Sequence, residues 1–276
     1  MTADVWLDDA LVPVARAGVS VLDHAFTVGD AVFETMKAVD GVPFALSRHL
    51  ARLASSARGL GLAPPDEARV RAAIVAVLSQ PGIGAVMRVR VTYGGGEAPM
   101  GSGRSDARPR LVVVAAEATP WPSSTAVAIV PWVRNERSAV AGLKTTSSAE
   151  NVVALERAHS VGAGEAIFAN TQGALCEGTG SNIFVVTDGI ALTPRLSSGC
   201  LAGVTRDLVL EWCGAIERDL TLEDLVAADE AFITSSTRDV HPVSAVDGVP
   251  LAGAPGPVTS AAMAEFTRRA AQDLDP

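Results

Sequence analysis

The stretch AGLKTTSSAEN, residues 141–151, holds Lys144. The chain has 22 basic residues, and Lys37 and Lys144 are its only lysines; Arg takes the other positions. A primary amine can form a Schiff base and a guanidinium cannot. Lys144 follows a Gly-Leu pair and precedes a Thr/Ser-rich lead into a helix predicted over about 148–161. A side chain at such a junction can point into a cleft. Residue type alone also suits a surface charge, an ion-pair partner or a phosphate ligand.

Working outward, AVFETMKAVDGVPFAL (31–46) reads as a hairpin, two strands joined at VDG. SRHLARLASSARGLGL follows, with Ser47 as the expected N-cap and Leu50, Leu53, Ala57 and Leu60 as the apolar face. A second helix is expected over 66–79, then strands over 85–93 and 110–117. ATPWPSS (118–124), with two prolines and two serines, reads as a linker. The expected layout is therefore an N-terminal domain over 1–117 and a C-terminal domain over 125–276. Beyond the linker, TAVAIVPWV, EAIFAN, GALCEG, SNIFVV, IALTP and EAFITSS read as strands, and a helix begins near Thr205. The pattern is two α+β domains with mixed sheets.

Bulk properties narrow the function. The chain has 276 residues, 48% hydrophobic and 19% charged, so it should bury a real core. Its formal net charge is −9, with no Lys/Arg cluster, which argues against nucleic acid as a partner. No apolar run is long enough to span a bilayer, and the start MTADVWLDDA lacks the basic and apolar regions of a signal peptide. Cys176, Cys200 and Cys213 are widely spaced and read as free thiols in a reducing, cytoplasmic setting. His24, His49, His159 and His241 lack metal-ligand spacing, so no metal is expected; His49 reads as structural.

Two further motifs follow Lys144. CEGTGSNIF (176–184) sets Glu177 before a Gly-rich turn. GCLAGVTRDLVLEW (199–212) offers Gly203, Val204 and Thr205 at a helix N-terminus, an anion site in waiting. This order resembles the class IV, fold-type IV pyridoxal phosphate (PLP) enzymes: branched-chain and D-amino-acid aminotransferases and aminodeoxychorismate lyases. VGDAVFETMKAVDG (28–41), HLARL (49–53) and FITSSTRDV (232–240) match as well, so the resemblance covers about 20–245. It implies a two-domain fold with a barrel-like C-terminal domain, a homodimer, and PLP as cofactor. Lys144 matches the Lys that holds PLP and shuttles the proton, and Glu177 the carboxylate on the pyridine nitrogen. Arg52 matches the phosphate-binding Arg. Val204 and Thr205 match the phosphate cup, and Ser235 and Ser236 its other wall.

The substrate is less sharply drawn. Branched-chain enzymes resembling this chain carry a Tyr where it has Ala149. D-amino-acid enzymes of the bacillary kind carry Tyr at the position of Phe33, and an Arg and a His in the loop that here reads GGGEAPMGSG (94–103). The lyases share AGLK and Thr35, but their loop Arg has no counterpart before Arg104. Arg88, Arg90 and Thr92 should share one strand face; the branched-chain enzymes have an Arg matching Arg88 that faces the active site, and that resemblance makes Arg88 the expected ligand of a substrate carboxylate. Phe33 and Thr35 are expected beside it, and Lys37 reads as structural or as a substrate-side charge. The expectation is an aminotransferase that moves an amino group between a D-amino acid, or related (R)-amine, and a 2-keto acid. The alternatives are aminodeoxychorismate lyase, a branched-chain L-amino-acid aminotransferase, and a non-enzymatic remnant that binds without catalysis.

Overall fold

The computed structural model describes residues 4–276, so the first three residues of MTADVWLDDA lie outside the described residues. The chain forms two compact units. The first runs to Thr119 and takes in Leu143–Ser147 and Leu274–Pro276; the second comprises Pro120–Gly142 and Ser148–Asp273. A single cut near 118–124 thus does not describe the division, because the Lys144 segment packs with the first unit.

The first unit contains β1 (Val5–Leu7), β2 (Ala10–Val12), α1 (His24–Thr27), β3 (Ala31–Val39), β4 (Val42–Pro43), α2 (Leu46–Gly59), α3 (Glu67–Leu78), β5 (Val86–Gly94) and β6 (Arg110–Glu117). The strands form an antiparallel sheet in the order β2-β1-β6-β5-β3-β4. Strand alternation sends Val32, Met36, Val89, Val91, Leu111 and Val113 to one face, where Leu50, Leu53 and Ala57 of α2 and Val70, Ile74 and Val77 of α3 meet them. The hairpin reading holds: β3 turns at Asp40-Gly41 into β4, both turn residues at positive φ.

Ser47 is not the N-cap of α2. The helix starts two residues earlier than a Ser47 cap would set it, after Ala45 in left-handed conformation, and Ser47 is held by Asp275 instead. Its backbone N–H and hydroxyl donate to Asp275 at 2.7 and 2.6 Å, so a distant carboxylate does the capping.

The second unit contains β7 (Thr125–Arg134), α4 (Ala149–Ser160), β8 (Glu165–Asn170), β9 (Leu175–Gly178), β10 (Asn182–Thr187), β11 (Ile190–Pro194), α5 (Val204–Cys213), β12 (Ile216–Arg218), α6 (Leu222–Val226), β13 (Glu230–Ser235), β14 (Asp239–Val246), β15 (Val249–Pro250) and α7 (Pro257–Gln272). Its sheet runs β12-β11-β10-β13-β14-β7-β8-β9, with β15 on β14. The β11–β12, β14–β7 and β7–β8 pairs are parallel and the rest antiparallel, so the sheet is mixed. β9 returns against β10 and β11, which curls the sheet into a half-barrel. One face buries Val127, Ile167, Ile183, Val185, Ile233 and Val243 under α6; α5 and α7 pack on β13. α7 has no counterpart in the sequence reading.

Candidate active site

In the first unit, Lys144 is held by its backbone. Phe33 N–H donates to the Lys144 carbonyl (2.9 Å), Lys144 N–H to Ser56 Oγ (3.2 Å), and Thr146 N–H to the Ala31 carbonyl (2.8 Å). Thr145 bridges Val32 antiparallel, so 144–146 extends the sheet along the edge of β3. A Cβ at Gly59 would come within 2.5 Å of Leu143 Cδ2, so a larger residue there would make the Leu143 side chain shift. Antiparallel register then puts Lys144 on the Phe33 side of the sheet, with Nζ 4.5 Å from the Phe33 ring centroid.

That side carries further cations. Phe33, Thr35 and Lys37 stand opposite Thr92, Arg90 and Arg88 in register, and directly opposed residues share a face. Arg90 stacks on the Phe33 ring at 3.8 Å. Arg88 is half-buried beside Lys37.

On the core side, Glu34 is wholly buried. Arg52 donates to it twice, Nε to Oε1 (2.8 Å) and Nη2 to Oε2 (2.7 Å), and His49 Nδ1 lies 2.7 Å from Oε2. Burial opposes the charged carboxylate, but the charge and hydrogen bonds of Arg52, with those of His49, outweigh it and hold Glu34 at about 2. Burial likewise pushes His49 down, so the ring is neutral. Arg52 is therefore not on a solvated helix face. Sequence reading left Glu34 unassigned and His49 without chemistry. The available signal was parity: a carboxylate at an inward strand position, with His and Arg one helical turn apart to meet it.

In the second unit, Glu177 lies on β9, half-buried. Its Oε2 accepts the Leu201 N–H at 2.9 Å. Arg134 Nε lies 3.2 Å from Oε1, an ion pair rather than an aligned hydrogen bond. Arg134 also reaches Glu150 (2.6 Å) and Asn151 (2.5 Å) on α4 and stacks on Phe168. Glu165, buried on β8, accepts from Thr179 N–H and hydroxyl, from Ser181 (3.0 Å) and from Arg238 Nη1 (3.1 Å). These contacts tie the turn after Glu177 to the turn after β13. Nothing in the local sequence of Arg134, Glu165 or Arg238 announces these partners.

Gly203 is the N-cap of α5, with no side-chain cap, so the N–H groups of Val204 and Thr205 face outward in the first turn. A Cβ at Gly203 would fall 2.0 Å from Asn182 Oδ1, and Asn182 in turn donates to the Leu201 carbonyl (2.8 Å). Ser235 Oγ accepts from Arg238 N–H (3.2 Å), which fixes the end of β13, with Ser236 next in the chain. Among the described residues no His, Cys, Asp or Glu cluster could hold a metal ion. The three cysteines are free.

Each unit by itself carries groups that suit PLP. In the first, the amine of Lys144 on a fixed backbone suits an aldehyde, and the Arg52 guanidinium suits an anionic group. In the second, a half-buried carboxylate suits a ring nitrogen, and the uncapped first turn of α5, with Thr205, Ser235 and Ser236, suits a phosphate.

Residues 31–246 match the family model for amino-transferase class IV. A branched-chain-amino-acid aminotransferase of Pseudomonas aeruginosa is 30% identical over 92% of this chain and 89% of its own. A D-alanine aminotransferase of Bacillus licheniformis is 28% identical over 92% and 93%. The crystal structure of a branched-chain aminotransferase from Thermoproteus uzoniensis superposes with a TM-score of 0.90 at 29% identity, covering 97% of this chain and 94% of that one.

Proposed function

This chain belongs to the class IV aminotransferases, fold-type IV enzymes that use PLP, and from that premise we propose that it acts on D-amino acids and 2-keto acids. The observation that supports a carboxylate-bearing substrate is the face shared by Lys144, Phe33, Thr35, Arg88 and Arg90. Arg88, with Arg90 beside it, binds the substrate carboxylate in this reading. Ala149, at the position where branched-chain enzymes resembling this chain carry Tyr, counts against a branched-chain substrate.

PLP, when bound, supplies an electron sink for the pair left as Cα loses its proton. Lys144 would hold the cofactor covalently, and its amine, when free, would take that proton and return it. Glu177 would face the protonated ring nitrogen, and Arg134 holds Glu177 in an ion pair. Arg52, the first turn of α5 at Val204 and Thr205, and Ser235 and Ser236 bind the phosphate. The enzyme is read as a cytoplasmic homodimer, the former supported by its free thiols; among the described residues no helix is long and apolar enough to cross a membrane.

The relatives give one competing reading its support, since the branched-chain enzyme of P. aeruginosa is 30% identical and the D-alanine enzyme 28%. An absorbance spectrum of the yellow protein decides between them. Conversion of the cofactor band by D-alanine, with L-leucine in a fresh sample giving less, is expected. Conversion by L-leucine alone overturns the D-amino-acid reading. No conversion by either turns the test to aminodeoxychorismate, where the lyase alternative stands or falls. The carboxylate role has its own check: Arg88→Ala raises KM for amino acids by roughly 10²-fold or more with PLP retained, on the scale of losing a charge-assisted pair. An unchanged KM removes Arg88 from the site.

A further inference from the structure

We propose that Glu34 is a positioning residue that sets Arg52 for the cofactor's phosphate, an inference that rests on the phosphate role read for Arg52 above. Glu34 stands at an inward position of β3, between Val32 and Met36, where every neighbour in register is apolar. A buried carboxylate is costly to desolvate, and a well-packed apolar residue often serves stability as well or better. What the carboxylate adds is orientation. Its two oxygens take the Nε and Nη2 hydrogens of Arg52 in a fork (2.8 and 2.7 Å), and a fork fixes the plane of a guanidinium as a single bond does not. His49 closes on the same carboxylate from one turn earlier on α2 (2.7 Å), so Glu34 itself cannot swing. The Arg52 edge bearing Nη1 is thereby turned away from Glu34 in one fixed direction. Such an arrangement presents a preformed cation to an oxyanion rather than one that must be ordered on binding.

The test separates phosphate binding from everything else. The full-length protein, stripped of cofactor, is titrated with PLP and with pyridoxal, which lacks the phosphate, and the two Kd values are compared. Glu34→Gln keeps the shape and removes the charge. It is expected to weaken PLP by about 10–100-fold, the usual cost of losing an outer-shell partner, while pyridoxal moves less than about twofold. Equal weakening of both ligands, or of neither, overturns the proposal. If the Gln variant does not fold, Glu34→Asp, which keeps the charge and shortens the reach, answers the same question: loss confined to PLP supports the proposal, and equal loss overturns it. Arg52→Met is run alongside. If it leaves the ratio of the two Kd values at the wild-type figure, the phosphate reading of Arg52 fails, independently of Glu34.

Discussion

Lys144 differs from Lys37 in what surrounds it, since both amines stand on the same sheet face. The backbone at 144 is pinned on both sides, by Phe33 and by Ser56, whereas Lys37 lies two residues from the end of β3 with Nζ 6.0 Å from the Phe44 ring centroid. Glu177 is the second residue on which the chemistry turns. Glu177→Gln is expected to keep the protein yellow but lower kcat by roughly 10²–10³-fold, as when one preorganised electrostatic partner is lost; steady-state kinetics at saturating substrate check it, and a kcat within threefold of wild type contradicts it. Lys144 and Glu177 were legible in the sequence because the chemistry restricts the residue type and the motifs flank them. Glu34 was legible only in its inward parity with Val32 and Met36; that His49 and Arg52 meet it depends on how the strand registers against its helix. Arg134 was not, because its partner lies on another strand.

At the scale of elements, α2 carries His49 and Arg52 but begins on Ala45, which has no side-chain cap to offer. The last described residues supply one: Asp275 accepts from Ser47, the Leu274 carbonyl from Ala45 N–H (2.7 Å), and the Pro276 carbonyl from Arg48 Nε (2.8 Å). Asp275→Ala is expected to lower Tm by about 2–4 °C, the size of a lost helix cap in a chain of this length; an unchanged Tm would mean the tail contributes no capping. Glu165 binds two turns in the second unit. Glu165→Ala leaves the largely buried Arg238 without its carboxylate and is expected to destabilise by roughly 3–5 kcal/mol, read by urea denaturation. Most strands and helices were legible from period and turn residues, and their bounds shift by only a residue or two. Ser47 misled because a Ser before an apolar stripe is a good local cap signal, and the competing cap is contributed from 228 positions away. α7 escaped because its apolar face is narrow, with Thr259, Ala262 and Phe266 buried along otherwise exposed turns.

For the whole molecule, charge and pH meet in the Glu34 cluster. Glu34 is held at about 2 in the folded protein, well below the ordinary value near 4.5. A depressed carboxyl contributes stability that is complete above its unfolded value and lost as pH falls through the folded one. His49, pushed down by burial, contributes with the same sign, since the unfolded chain takes up its proton first as pH drops below about 6.5. Stability should therefore decline as pH falls below about 6.5, more steeply between about 4.5 and 2. Glu34→Gln should flatten the lower part of that curve; an identical acid-unfolding profile would mean the carboxylate is not linked to folding. The overall function stands most directly on Lys144. Borohydride reduction of the yellow protein fixes the carbon–nitrogen link as a stable secondary amine, and peptide mass spectrometry then locates the pyridoxyl group. It is expected on the peptide bearing Lys144; its recovery on the peptide bearing Lys37, or on neither, would contradict the assignment.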